Sequence, residues 1–142
     1  TIHAGETVGP SSVWGALAVG AERIAHGVRA IEDPRLVAEL AERQIVLEVA
    51  PTSNLCLGVY PSYAAHPFRA LRDAGVAVTI NSDDPAYFGG YVNDNYVALF
   101  ESLPLTRDHA YRLARNSFAA AFLDEETKAA YLRCVDDYFA TA

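Results

Sequence analysis

His3 and Glu6 stand three residues apart near the start of the chain, His26 follows, and two adjacent carboxylates lie in Asn81-Ser82-Asp83-Asp84-Pro85. Imidazole nitrogen and carboxylate oxygen are donors that a divalent ion such as zinc takes, so His3 and Asp83 are candidate metal ligands. Glu6, one turn past His3, is close enough to act on the same substrate without ligating. His26 adds an imidazole able to take or orient a proton near neutral pH. Adjacent side chains at a strand end diverge, so one of Asp83 and Asp84 can hold a metal while the other faces elsewhere. As a set, these groups describe metal-assisted hydrolysis, in which a bound water loses its proton near neutral pH and a carboxylic acid protonates the substrate.

Short apolar strands alternating with helices must position them. Residues 23–26 read as a strand, preceded by residues 12–20 of helical composition with a cap at Ser11 or Ser12. Asp33 caps a helix that Pro34 begins, with Leu36, Val37, Leu40 and Ala41 at helical spacing. Residues 45–49 form the next strand, stopped by Pro51. Residues 67–74 form a helix closed by Gly75, and residues 76–80 are a third strand. Residues 81–95, with Pro85, Gly89, Gly90 and many turn formers, read as a loop. Residues 96–102, 106–122 and 125–138 read as helices, with Thr106 and Asp124 as caps.

Such alternation implies a parallel sheet with right-handed crossovers. His3 with Glu6, His26, Asn54, and Asp83 with Asp84 all fall at or just past a strand's C-terminal end. That is the edge where α/β sheets, barrels above all, gather catalytic groups. Four βα units are half of an eightfold barrel, which in full needs about 250 residues. The expected fold class is therefore α/β: the C-terminal half of a (β/α)8 TIM-type barrel with extra C-terminal helices. Residues 1–142 form one partial domain whose N-terminal half is missing, and the opening Thr1-Ile2-His3, without Met, reads as the later part of something longer.

Each element alone has a plainer reading. His-x-x-Glu is a common solvent-facing pair, a histidine at a strand end is a satisfied core residue, and Asn-x-Asp-Asp-Pro is a turn. Their joint arrival at successive strand ends favours a site.

Half of the residues (51%) are apolar and 20% are charged, which excludes a disordered tail. Eleven Lys and Arg against 18 Asp and Glu give a net charge of −7, which opposes binding to a phosphate backbone, so no nucleic acid is expected as a partner. No apolar run approaches the length of a membrane span, so no membrane is expected either. Two cysteines, Cys56 and Cys134, are too few for a disulfide framework and suit a reducing, cytoplasmic compartment.

His-Ala-Gly-Glu (3–6), Arg-Ile-Ala-His-Gly (23–27), Pro-Thr-Ser-Asn-Leu (51–55) and Asn-Ser-Asp-Asp-Pro (81–85), in this order and spacing, resemble the adenosine/adenine deaminase family of metal-dependent amidohydrolases. The resemblance runs from His3 to about Phe122. Residues 81–91 with Tyr96 are similar to the adenine deaminase branch, while Pro-Thr-Ser-Asn is shared with bacterial adenosine deaminases. The resemblance implies that His3 and Asp83 are zinc ligands and that Glu6 is the acid protonating purine N1. His26 would orient the activated water and help deprotonate it, and Asp84 would accept a hydrogen bond at N7. Attack at C6 then expels ammonia, converting adenine to hypoxanthine in purine salvage. One zinc per site is implied, with its first two ligands from a His-x-His pair.

No His-x-His occurs in this chain. His66, before Pro67, is expected to cap or line the start of a helix and His109 to face solvent, so neither is assigned to metal. Two protein ligands are fewer than the three of an ordinary catalytic zinc site, so two further ligands are expected from the missing half. The chain alone is not expected to deaminate anything. Its partners are then a small purine and the N-terminal half of the barrel. Two other readings stand beside adenine: adenosine or an N6-substituted adenine as substrate, and a non-catalytic purine-binding module or fragment. Elsewhere, Trp14 is expected to pack, Cys56 to be a buried inert thiol, and Phe88-Gly89-Gly90-Tyr91 to form a flexible aromatic lid.

Overall fold

A computed structural model describes residues 1–141. Strands β1 (Ile2–Ala4), β2 (Arg23–His26), β3 (Val46–Val49) and β4 (Val78–Ile80) form one sheet in chain order, every pair parallel. The crossovers carry α1 (Pro10–Ala18), then α2 (Pro34–Arg43) behind a 3-10 turn at Val28–Glu32, then α3 (Pro51–Cys56) and α4 (Phe68–Asp73). After β4 come α5 (Pro85–Phe88), α6 (Val92–Ser102), α7 (Arg107–Ala119) and α8 (Glu125–Thr141).

The register aligns Ile24, Leu47 and Val78 in one row, all without exposed surface. They pack in one cluster with Val13 of α1, Leu36 and Leu40 of α2, Phe68 and Leu71 of α4, Leu99 of α6 and Leu113 of α7. Full burial of each such side chain is worth about 1.5–3 kcal/mol, so this apolar layer dominates the stability of the sheet. Successive side chains alternate across the pleat, and the next row holds His3, Ala25, Glu48 and Thr79. Arg23 and Glu48 pair at 3.3 Å across neighbouring strands.

Local chemistry explains where the elements begin. Asp33 accepts the Arg35 N–H at 3.0 Å and also the Trp14 indole N–H at 3.0 Å, tying α1 to the start of α2. Trp14 packs against the core, as expected. Thr127 donates its N–H to Asp124 at 2.8 Å ahead of α8, and Thr106 donates its N–H to His109 Nδ1 at 2.8 Å ahead of α7. His109 is therefore half-buried as a cap rather than facing solvent.

Several boundaries differ from the sequence expectation for identifiable reasons. Gly9, not Ser11 or Ser12, caps α1, because Pro10 takes the first helical position. Pro51 does more than stop β3: at a first helical position it opens α3. The segment 81–95 is not all loop, since Pro85 opens the single turn of α5 and Asp94, accepting the Tyr91 N–H at 2.6 Å, starts α6 early.

Among the described residues β1 pairs only with β2 and β4 only with β3, leaving two open edges. The Asn116 amide donates to the Val78 carbonyl at 2.9 Å, covering one acceptor of β4. No described helix is long and apolar enough to cross a membrane. Open edges template further pairing, so the isolated 142-residue chain should self-associate in sedimentation velocity. A monodisperse, cooperatively melting monomer would contradict this expectation.

Candidate active site

The C-terminal ends of β1 and β2 are locked together by backbone. Gly27 donates its N–H to the Ala4 carbonyl at 2.9 Å and Arg29 donates to the Gly5 carbonyl at 2.8 Å. Gly5 and Gly27 both lie in the left-handed region, at φ 66° and 68°. A Cβ on Gly5 would stand 2.5 Å from Val13 Cγ2 and 3.1 Å from Gly27 Cα, and one on Gly27 would stand 2.6 Å from Leu47 Cδ2. Only glycine allows both the backbone angle and this approach. Ser12 Oγ accepts the Gly5 N–H at 2.9 Å and donates to the Gly9 carbonyl at 2.8 Å, bracing the turn from the start of α1.

This contact sets Glu6 beside His26, with 6% and 4% of their surfaces exposed. Glu6 Oε2 lies 2.9 Å from His3 Nε2, while Oε1 accepts from the Asn54 amide at 3.0 Å and lies 3.4 Å from His26 Nδ1. The rings of His3 and His26 are 4.5 Å apart between centroids, and the His3 side chain remains exposed. On the other side of His26, Nε2 is 3.9 Å from Asp83 Oδ2, which accepts from Ser53 Oγ at 2.7 Å. His26 and Asp83 both hold left-handed backbone, φ 67° and 56°, an uncommon state for residues with a Cβ. Burial pushes the His26 pKa below its ordinary value, against the opposing pull of Glu6.

The structure thus brings His3, Glu6, His26 and Asp83 into one contiguous group. Asp84 lies exposed at the start of α5, its side chain without a hydrogen-bond partner among the described residues. The donor atoms of His3, Glu6 and His26 fall within 4.8 Å of one another, a set of imidazole nitrogens and a carboxylate that fits a divalent ion such as zinc. Donor chemistry pairs His3 with Asp83, whereas the group that the structure draws together around His3 is Glu6 and His26, with Asp83 on the far side of His26 and bonded to Ser53. A cavity of about 380 Å³ opens beside them, lined by Ala25, His26, Glu48, Asn81, Asp83 and Val92, roomy enough for a purine ring.

Asn54, expected at this edge without an assigned role, joins the site together with two residues not expected there, Ser53 and His66. Ser53 and Asn54 have no exposed surface and His66 has 4%. Their sequence signal is Pro-Thr-Ser-Asn directly after a strand, and a histidine before Pro67 at a helix start. His66 does cap α4, accepting the Phe68 N–H at Nδ1 (3.1 Å). Its burial lowers its pKa to about 4. Cys56 is exposed rather than buried, because α3 turns it outward toward the Phe88 carbonyl, 3.7 Å away. Tyr87 and Tyr91, flanking Phe88-Gly89-Gly90, are exposed at the same rim.

A parallel α/β sheet that collects histidines and carboxylates at its strand ends is an arrangement that metal-assisted hydrolysis can use. The chain belongs to the adenosine deaminase family, whose sequence model, described as Adenosine deaminase, matches residues 1–138. It is 50% identical over 140 residues to an adenine deaminase of Albidiferax ferrireducens, covering 98% of this chain and 41% of that protein. The crystal structure of an adenine deaminase from Arthrobacter aurescens superposes with a TM-score of 0.95 at 39% identity, over 99% of this chain and 43% of the other. A Burkholderia ambifaria amidohydrolase solved with bound zinc superposes at 0.83 with 27% identity, over 99% and 42%. The chain thus spans about two-fifths of the length of the relatives it matches.

The buried His66 ring carries a pH prediction. Its folded pKa of about 4 lies below the unfolded 6.5, so the unfolded chain takes up the proton first. This stabilisation is full above pH 6.5 and is lost as pH falls toward 4, in total about 3 kcal/mol. Thermal melts should therefore shift downward across that interval, and the shift should shrink in His66→Gln.

Proposed function

We propose that this chain is the C-terminal part of a barrel that hydrolytically deaminates adenine to hypoxanthine and ammonia. The observation that carries the reading is the buried Glu6 carboxylate, held between His3, His26 and Asn54 at the sheet's C-terminal edge. The substrate assignment is supported by relatives named adenine deaminases at about half identity. His3 and Asp83 would hold zinc together with ligands from the rest of the barrel, a role supported by the relative solved with zinc. When bound, zinc supplies the acidity that lets water attack near neutral pH.

The chain's own groups do the remaining work. His26 orients the attacking water and takes up its proton. Glu6 protonates ring N1 as C6 becomes tetrahedral, which relieves the charge developing on the ring. Asp84, at the mouth, accepts a hydrogen bond from the N7 edge and fixes which face of C6 meets the water. Ammonia then leaves with the proton that His26 took up, and the C6 hydroxyl returns a proton to Glu6 as it becomes the hypoxanthine carbonyl. The product places the reaction in purine salvage. Cys56 and Cys134, both free, suit the reducing conditions of the cytoplasm.

The complete, zinc-loaded protein should convert adenine to hypoxanthine, with kcat/KM for adenine at least about tenfold above that for adenosine or N6-methyladenine. Glu6→Gln should lower kcat by about 10²–10⁴-fold, since it removes the proton donor. Absence of adenine turnover by the fully zinc-loaded protein would remove the reading. Preferential turnover of adenosine would move the substrate assignment within the same chemistry.

A further inference from the structure

We propose that His66 and Asn54 are positioning residues, in which the His66 ring fixes the Asn54 amide so that its N–H groups face Glu6 and His26. The kinetic part of this inference rests on the deaminase reading above.

The polarity of the contact series follows from its first member. Phe68, the first residue of α4, donates its backbone N–H to His66 Nδ1 at 3.1 Å. That nitrogen must present its lone pair, so the proton of the neutral ring resides on Nε2. Nε2 lies 3.1 Å from Asn54 Oδ1 and donates to it. Oxygen and nitrogen of the Asn54 amide are thereby distinguished by their partners. Nδ2 donates to Glu6 Oε1 at 3.0 Å and lies 3.3 Å from His26 Nδ1.

The opposite amide orientation would set Nδ2 against the protonated Nε2 of His66, donor against donor. Glu6, His26, Asn54 and His66 are all buried, Asn54 with no exposed surface at all. The backbone of Asn54 is equally fixed, its N–H bonded to the Ala50 carbonyl and its carbonyl accepting from Val59 at 2.9 Å. Tyr60 packs on the His66 ring at 5.0 Å between centroids, closing it off from solvent. One peptide N–H at a helix start thus decides, through His66 and Asn54, that an amide N–H rather than an amide oxygen faces Glu6 and His26.

The test uses the complete, zinc-loaded protein and its His66→Leu, His66→Gln and Asn54→Asp variants. His66→Leu deletes the donor to Asn54 and should lower kcat about tenfold or more with KM and zinc content unchanged. His66→Gln retains an amide donor and should restore kcat to within about threefold of the unaltered protein. Asn54→Asp replaces the donor to Glu6 by an acceptor and should lower kcat at least as far as His66→Leu. Equal losses in His66→Leu and His66→Gln, or unchanged kcat in His66→Leu or in Asn54→Asp, would overturn the proposal. If the variants lose zinc or fold, 15N NMR of the unaltered protein at pH 7 decides. A neutral His66 protonated on Nε2 supports the proposal, and a ring protonated on Nδ1 or on both nitrogens refutes it. An unaltered protein that turns over no 6-aminopurine removes the deaminase reading, while the NMR result still decides the amide orientation.

Discussion

The contact between Gly5 and Gly27 is the constraint on which the site depends. A Cβ on Gly5 would press on the Gly27 backbone and on Val13, one on Gly27 would strike Leu47, and the bonds from Gly27 to Ala4 and from Arg29 to Gly5 hold the two strand ends in register. Glu6 and His26 are the residues immediately after and before these glycines, so their side chains meet as a consequence of backbone geometry. The motif glycines therefore do not bear chemistry. They abolish the distance between two groups that do.

Bringing ionisable groups together under cover from water creates a second requirement. A buried polar atom left without a partner costs about 1–3 kcal/mol, and a charge costs more. Here Glu6 has a contact for each oxygen, Asn54 uses both ends of its amide, and His66 uses both ring nitrogens. Among the described residues the one buried side-chain atom lacking a partner is Arg72 Nη1, on α4, outside this cluster. Glu6, Asn54 and His66 are thus bonded at every side-chain polar atom, while the apolar layer of Ile24, Leu47 and Val78 lies on the neighbouring row.

Much of the architecture was legible from local pattern. Three of the four strands, the caps at Asp33 and Asp124, and the gathering of His3, Glu6, His26 and Asp83 at one edge follow from periodicity, turn chemistry and the direction of a parallel sheet. Strand β1 is too short to show a pattern of its own. What escaped depends on a second element. Pro51 has the same local preferences whether it ends a strand or begins a helix, and the packing of Ser53 and Asn54 into the core selects the helix. The cap formed by His66 is readable because its partner is two residues away, but its bond to Asn54 is not, because α3 and α4 must both be placed before the two meet. Cys56 reads as buried from its leucine neighbours, yet the pitch of α3 turns it to the surface.

The left-handed backbone at His26 and Asp83 bears on any effort to make this protein more robust. Guided by dihedral angles alone, a designer would choose glycine or asparagine at both positions and would gain stability from the exchange. Those two replacements would delete the imidazole and the carboxylate that face one another across the cavity. The third left-handed residue, Gln44 at the end of α2, lies outside the site, so that position and the helices are where rigidity can be added without touching the chemistry.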